Sequence, residues 1–298
     1  MQIEPIRKQD RKLEGRTALI TGASRGMGRA GALLFGQHGA DVVVNYRSDR
    51  DAAERVVDRI RALGSRAIAV QADVGNLEDL PRLVDGCIGE FGKIDILYHN
   101  AAIHWVCREL DDVTEEVWDR TYDCIAKGPF FLTKLVIPHL REQGGGSILF
   151  TSTSSAGAAT PTDPHYMTAK SAVNALVRIL AGWLAPEIRV NCVVPGFVKT
   201  DMFRHHPPEA WKMLVSAVPM NRMATPMDVA QAALYLVSPE AAYLTGVELP
   251  VDGGRTSAVP RRNILPALQA MKPGLEQFAK ADYGAEQIEE MDVGLRSG

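Results

Sequence analysis

The sequence predicts an α/β fold built on a parallel sheet, and three observations carry that expectation. Short apolar runs alternate with amphipathic helical segments along most of the chain, as they do when each strand returns through a helix. A glycine-rich turn joins the first apolar run to the first helix. Small or polar residues stand just past the ends of the runs, where open α/β sheets bind ligands. With 298 residues, 46% of them hydrophobic, the chain has enough apolar material for one large domain.

Residues 1–15 carry Lys, Arg, Asp and Pro but little to bury, and read as a flexible leader. From Thr17, the run Ala18-Leu19-Ile20 leads into Thr21-Gly22-Ala23-Ser24-Arg25-Gly26-Met27-Gly28, after which Ala30, Leu33 and Leu34 recur at helical spacing. Glycines let such a turn approach a ligand closely. The helix start offers unpaired N–H groups and a positive dipole end to a diphosphate. Gly22, Ser24, Arg25, Met27 and Gly28 are therefore candidate dinucleotide contacts. The next strand, 41–46, ends in Asn45-Tyr46-Arg47-Ser48 with no acid before Asp49. An acid here would hold the ribose 2′-hydroxyl of NAD, whereas an arginine accommodates the 2′-phosphate of NADP. Tyr46 and Arg47, with Arg25 from the turn, favour NADPH (NADP+).

The alternation continues through a helix over 51–63, a strand over 66–71 ending at Asp73-Val74, and a helix carrying Leu80, Leu83, Val84 and Ile88. A strand over 94–98 runs into His99-Asn100-Ala101-Ala102. A long helix follows over 115–140, with a kink expected near Gly128-Pro129. Next come a strand over 147–152, a polar loop over 153–164, a helix through Tyr166 to Leu184, and a strand over 189–194 that Pro195-Gly196 breaks. Residues 197–211 have no clear period and include Met202, Phe203, His205 and His206, as a lid over a substrate would. Pro226 opens a helix through Val229, Ala233 and Leu236, and a short strand over 247–251 ends at Asp252-Gly253-Gly254. In the tail, residues 255–298, Leu265, Leu268, Met271, Leu275 and Phe278 give an apolar spacing suited to packing on the domain or on a neighbouring subunit.

Tyr166 and Lys170 stand four residues apart, so a helix would project phenol and ammonium from one face. An ammonium near a phenol favours the phenolate and lowers its pKa, which suits proton transfer. The net charge of −3 and the lack of any block of like charges exclude a nucleic-acid or anionic-membrane surface and point to small-molecule partners. Cys87, Cys107, Cys124 and Cys192 are too widely spaced for a metal motif or a disulfide framework. With no apolar leader and no run of 18 apolar residues, a cytoplasmic protein is expected.

Assembled, these residues resemble the short-chain dehydrogenase/reductases, especially the branch that contains the ketoacyl reductases. The likeness covers roughly residues 13–254 and rests on the glycine turn, Asp73-Val74, Asn100-Ala101-Ala102, Tyr166 with Lys170, Arg189-Val190-Asn191, Pro195-Gly196 with Thr200, and Asp252-Gly253-Gly254. It implies a single doubly wound, Rossmann-type domain over 16–254 with a seven-stranded parallel sheet, helices on both faces, and a homotetramer or homodimer. It also implies Tyr166 as general acid, with Lys170 lowering the phenol pKa and binding the nicotinamide ribose. By the same likeness Asp73 and Val74 contact the adenine, and Asn100 and Ala101 line the cofactor channel. Pro195, Gly196, Val198 and Thr200 border the nicotinamide and its phosphate.

Three departures stand out. The family's catalytic serine, thirteen residues before the tyrosine, is Thr153 here, with Ser152 and Ser154 beside it as alternatives. A threonine hydroxyl can make the same hydrogen bond. The family's asparagine in the long helix, which holds a water connecting the lysine to solvent, aligns with Ile125, and Thr121 one turn earlier is a replacement anchor. The family's Asn-Asn-Ala-Gly reads His99-Asn100-Ala101-Ala102. The expected activity is NADPH-dependent reduction of a ketone or imine on a fairly apolar, cyclic small molecule, with His104, Trp105, His165, Phe197, Met202, Phe203 and Trp211 as pocket candidates. The alternative is a non-redox cyclase, isomerase or dehydratase, motivated by Ile125 and Thr153.

Overall fold

The computed structural model describes residues 4–107, 109–157, 163–201 and 208–258, together with Asn263. The chain divides after Thr256 into two units, and the first holds all that follows. Seven strands, β1 (Thr17–Ile20), β2 (Asp41–Tyr46), β3 (Ala67–Gln71), β4 (Ile96–His99), β5 (Gly146–Thr151), β6 (Ile188–Pro195) and β7 (Glu248–Val251), form one parallel sheet in the order β3-β2-β1-β4-β5-β6-β7. Helices α1 (Gly26–Gln37), α2 (Arg50–Ala62), α3 (Leu80–Phe91), α4 (Glu115–Tyr122), α5 (Gly128–Glu142), α6 (Pro164–Leu184), α7 (Pro208–Ser216) and α8 (Pro226–Val237) complete the order. This is the doubly wound, Rossmann-type architecture that the sequence predicts.

Because successive strand side chains point to opposite faces, the unbroken apolar runs feed two cores. Ala18, Ile20, Val42 and Val44 pack with α1, α2 and α8, while Leu19 and Val43 pack with α3, α5 and α6. Strand order reverses at β1, whose neighbours β2 and β4 lie on either side of it. Among the described residues no helix is long and apolar enough to cross a membrane.

Three local expectations need correction. Leu13, inside the stretch read as a leader, is 1% exposed and belongs to the core, and its N–H reaches the His38 carbonyl. One apolar residue among charged neighbours gave no periodic signal. The break in the long helix falls before Gly128-Pro129, as a π-helical turn over Asp123–Lys127 between α4 and α5. Its cause is a close approach: a Cβ on Gly128 would land on the Val74 carbonyl oxygen, and one on Gly75 would lie 3.3 Å from the Cys124 nitrogen. Finally, a helix over residues 208–216 begins inside the stretch 197–211 read as having no clear period; its half-buried Trp211, Leu214 and Val215 stand at helical spacing, most of it beyond the end of that stretch. Met202, Phe203, His205 and His206, and the apolar spacing of the tail from Leu265 to Phe278, lie outside the described residues.

Gly128→Ala is expected to destabilise the fold by about 2 kcal/mol or more, since backbone and not a flexible side chain must give way. Urea denaturation of the variant beside the parent checks this, and a midpoint within error of the parent's would refute the close-approach account.

Candidate active site

At the reversal of strand order the ends of β1 and β4 are laced together. Thr21 Oγ1 accepts hydrogen bonds from the Asn100 and Ala101 N–H groups at 3.0 and 3.1 Å, and Asn100 Nδ2 donates to the Thr21 and Gly22 carbonyls, both at 3.1 Å. From the other side, the Gly22 N–H donates to Asn45 Oδ1 at 3.0 Å, while Asn45 Nδ2 reaches the Ala72 carbonyl at the end of β3. Gly22 and Gly26 have φ of +61° and +57°, a region that glycine enters without strain. A Cβ on Gly22 would lie 2.8 Å from the Ala101 Cα, and one on Gly28 would strike Asn100 Nδ2 and the Gly22 carbonyl. No side chain caps α1, so its first N–H groups remain available. The glycines thus leave a cradle that side chains would fill, facing a helix N-terminus that can receive a diphosphate. Ser24 and Met27 lie on this turn half-buried, and Arg25 is exposed at its outer end.

Charges settle the far end of the cradle. Asp49 is committed to capping α2, accepting the Ala52 N–H at 2.9 Å, so the first acid after β2 is occupied. Arg47 is exposed at the strand end, its carbonyl held by Gln71 Nε2. Tyr46, by contrast, is 6% exposed and its side chain belongs to the core, which leaves chiefly its backbone to border a ligand. Asp73 is ion-paired with Arg120 at 2.8 Å. Burial raises its pKa, yet the hydrogen bonds from Arg120 and the Gly75 N–H outweigh that and hold its carboxyl below the usual carboxylate range. Val74 is buried beside it.

Tyr166 and Lys170 share a face of α6, the ammonium 5.8 Å from the phenol ring centre. Lys170 is 3% exposed, and its Nζ donates to the Thr151 carbonyl at 2.6 Å. Burial pushes its pKa down to about 8. The Tyr166 ring keeps some exposed surface yet lies deep in the fold, and burial, aided by Asp163 and Cys124, pushes the phenol up to about 12. The sequence expectation of a lowered phenol pKa is therefore reversed in this structure. The cation that was to lower it is itself weakened by burial and turned to a backbone carbonyl. Among the described residues the Tyr166 hydroxyl has no hydrogen-bond partner.

Of the three candidate hydroxyls, Ser152 is 3% exposed and donates to the Lys170 carbonyl, and Ser154 accepts from Arg255. Thr153 stays half-buried and lines a cavity of about 520 Å³ with Gly157, Asn174, Ala217 and Arg255. Ile125 is 2% exposed within the π-helical turn, in the apolar cluster against which Tyr166 packs. The hydroxyl of Thr121 donates to the Val117 carbonyl at 2.6 Å, so its proton stays on its own helix. The neighbouring thiols Cys124 and Cys192 are pushed up by burial to about 11 and about 12.

The cradle is closed by the chain after β6. A Cβ on Gly196 would lie 2.9 Å from Asp252, so the two turns pack backbone to backbone. Pro195 and Val198 are buried, Val198 bridges to Ala224, and the Thr200 Cγ2 stands 3.6 Å from where a Gly26 Cβ would be. Among the pocket candidates, His104 meets Tyr166 edge-on and His165 is fully buried, whereas Trp105 is 39% exposed and Phe197 lies under the Arg255 guanidinium.

Comparison with known proteins gives this geometry its relatives. A family model described as enoyl-(acyl carrier protein) reductase matches residues 22–256. The versicolorin reductase of Emericella nidulans is 40% identical over 257 residues, 82% of this chain and 96% of that protein. The tetrahydroxynaphthalene reductase of Pyricularia oryzae is 35% identical over 264 residues, 84% and 93% of the two chains.

The chain belongs to the short-chain dehydrogenase/reductase family.

The crystal structure of the angucycline C-6 ketoreductase LanV with bound NADP superposes with a TM-score of 0.78 at 32% identity, covering 83% of this chain and 98% of that one. The family is one of oxidoreductases that use nicotinamide cofactors, and the relatives named here are two reductases and a ketoreductase. Three residues of this short-chain dehydrogenase/reductase escaped the sequence reading: Asn45, Arg120 and Asp163. Asn45 stood at a strand end and was legible as a turn anchor only through its distance from Gly22. Arg120 and Asp163 are far in sequence from the groups they hold.

The buried lysine carries a pH signature. Between about 8 and the ordinary 10.5 an unfolded chain holds the Lys170 proton while the folded chain has lost it, so unfolding takes up protons and stability rises with pH across that window. Below about 8 both states are protonated and the penalty is constant. Urea melts of cofactor-free protein and of Lys170→Met are expected to converge as pH climbs from 8 to 10.5; parallel curves would rule out the burial effect.

Proposed function

We propose that this protein is an NADPH-dependent ketoreductase that acts on a fairly apolar, ring-containing ketone with hydroxyl substituents, with Tyr166 as general acid. The observation that carries the reading is the Tyr166–Lys170 turn of α6 beside a glycine cradle held open by Asn45 and Asn100. The bound cofactor supplies hydride to the substrate carbonyl carbon. Gly22, Gly28 and the start of α1 hold its diphosphate, and Arg25 and Arg47 meet its 2′-phosphate. Asp73 and Val74 border the adenine, its carboxylate fixed by Arg120. Asn100, Ala101, Pro195, Gly196, Val198 and Thr200 flank the nicotinamide half.

Tyr166 carries its proton at neutral pH, as any phenol does, and so can donate to a carbonyl oxygen; burial holds that proton more tightly in the cofactor-free chain, which leaves the neighbouring Lys170 to ease its release. Thr153 gives that oxygen a second hydrogen bond. Lys170, held at Thr151, orients the ribose and stands beside the phenol as it gives up its proton. The relatives' names, versicolorin reductase and tetrahydroxynaphthalene reductase, support a hydroxylated polycyclic substrate. Ile125, which carries no polar atom at the relay position, favours a second reading as a non-redox isomerase or dehydratase. That reading requires product without NADPH consumption.

Following nicotinamide absorbance with NADPH and a panel of polycyclic ketones, stoichiometric oxidation is expected, with Tyr166→Phe slower by about 10²–10⁴-fold. Product formed without cofactor turnover would transfer support to the second reading. Arg47→Ala is expected to weaken NADPH binding about 10-fold or more relative to NADH. An unchanged preference between the two, measured by fluorescence titration, would remove the basis for assigning NADPH.

A further inference from the structure

The reaction as derived leaves one built pair unused. His104, in the connection after β4, donates from Nε2 to Asp163 Oδ2 at 3.1 Å, and the other Asp163 oxygen accepts the Cys107 N–H at 2.9 Å. Both side chains are largely enclosed, at 16% and 11% exposure. Asp163 sits immediately before α6 with φ +46°, a left-handed conformation uncommon outside glycine, which sends its carboxylate back across the connection. A carboxylate only accepts, so the proton of this bond is on Nε2, and in the neutral ring Nδ1 keeps a bare lone pair. That Nδ1 has no partner among the described residues, and it is not among the buried unpaired atoms. The imidazole meets the Tyr166 ring edge-on, centres 4.8 Å apart at 69°. His165 and Cys107, the other titratable groups close by, face each other at 4.0 Å and leave Nδ1 uncontested.

A fixed acceptor thus stands beside the proposed acid. We propose that His104 is a substrate contact. Its Nδ1 accepts a hydrogen bond from a hydroxyl adjacent to the carbonyl that Tyr166 addresses, and Asp163 acts through it as a positioning residue. The inference rests on the ketoreductase reading and narrows its substrate class to aromatic ketones with a neighbouring hydroxyl. A site built around a polar acceptor discriminates against the analogue that lacks the donor, because the acceptor is then left dry and unpaired.

The test uses a matched pair of bicyclic aryl ketones, with and without a hydroxyl peri to the carbonyl, and NADPH as reductant. The parent protein is expected to favour the hydroxylated ketone in kcat/KM by about 10-fold, one net hydrogen bond's worth. His104→Ala should bring the ratio close to one. His104→Asn, whose amide oxygen stands where Nδ1 does, should restore part of it and also shows whether loss in the alanine variant reflects misfolding. Asp163→Asn should lower the ratio mainly through KM. A ratio preserved in His104→Ala, with both substrates slowed alike, would show that the imidazole merely supports the phenol and would overturn the inference. Reduction of both ketones by the parent without preference would overturn it and leave the ketoreductase reading standing. Failure to reduce either with NADPH would remove that reading and this inference together.

Discussion

The structure depends on holding a glycine turn open at the point where strand order reverses. Glycine alone does not do this, since residues free to adopt positive φ are also free to leave it. Two asparagines supply the constraint: Asn45 fixes the Gly22 N–H from β2, and Asn100 takes the Thr21 and Gly22 carbonyls from β4. Each such bond contributes only about 1 kcal/mol net, but a buried amide left unpaired costs more than that. The turn is therefore locked by the penalty for releasing it, and the N-terminus of α1 stays aimed at the crevice between the two halves of the sheet.

Burial governs the chemistry of the other half of the site. The same desolvation keeps the proton on Tyr166 and loosens the one on Lys170, so in the cofactor-free chain the pair is biased toward neutral phenol and neutral amine. Asp73 shows the opposite outcome, because Arg120 and a backbone N–H compensate its burial and preserve the charge. Where the fold provides a charged partner the ion is strengthened, and where it provides a carbonyl and apolar walls it is weakened, so that Lys170 loses its proton already above about 8.

The strands and most helices were legible because their signals are local: apolar runs, helical spacing, glycines at turns. Tyr166, Lys170 and the glycine turn were legible for the same reason. What escaped needed distance in sequence to become proximity in space. The Arg120–Asp73 pair spans 47 residues and the His104–Asp163 pair 59, and no pattern in either neighbourhood announces its partner. Leu13 shows a further limit, since a single apolar residue in a charged stretch reads as solvent-facing until the core around it is seen. The phenol's shift was misjudged in sign because spacing reveals that a cation is near but not how deeply both groups are sunk.

The π-helical turn at Asp123–Lys127 has a consequence for how the long helix can vary. It lets two registers coexist in one rod: α4 is indexed to Asp73 through Arg120, and α5 is indexed to the Val74 carbonyl through Gly128. The wide turn holds about one residue more than an α-turn, so the surplus is taken up locally and both halves keep their seats. The segment is a phase adapter that stores spare length between two seated halves, while its Cys124, Ile125 and Ala126 stay buried.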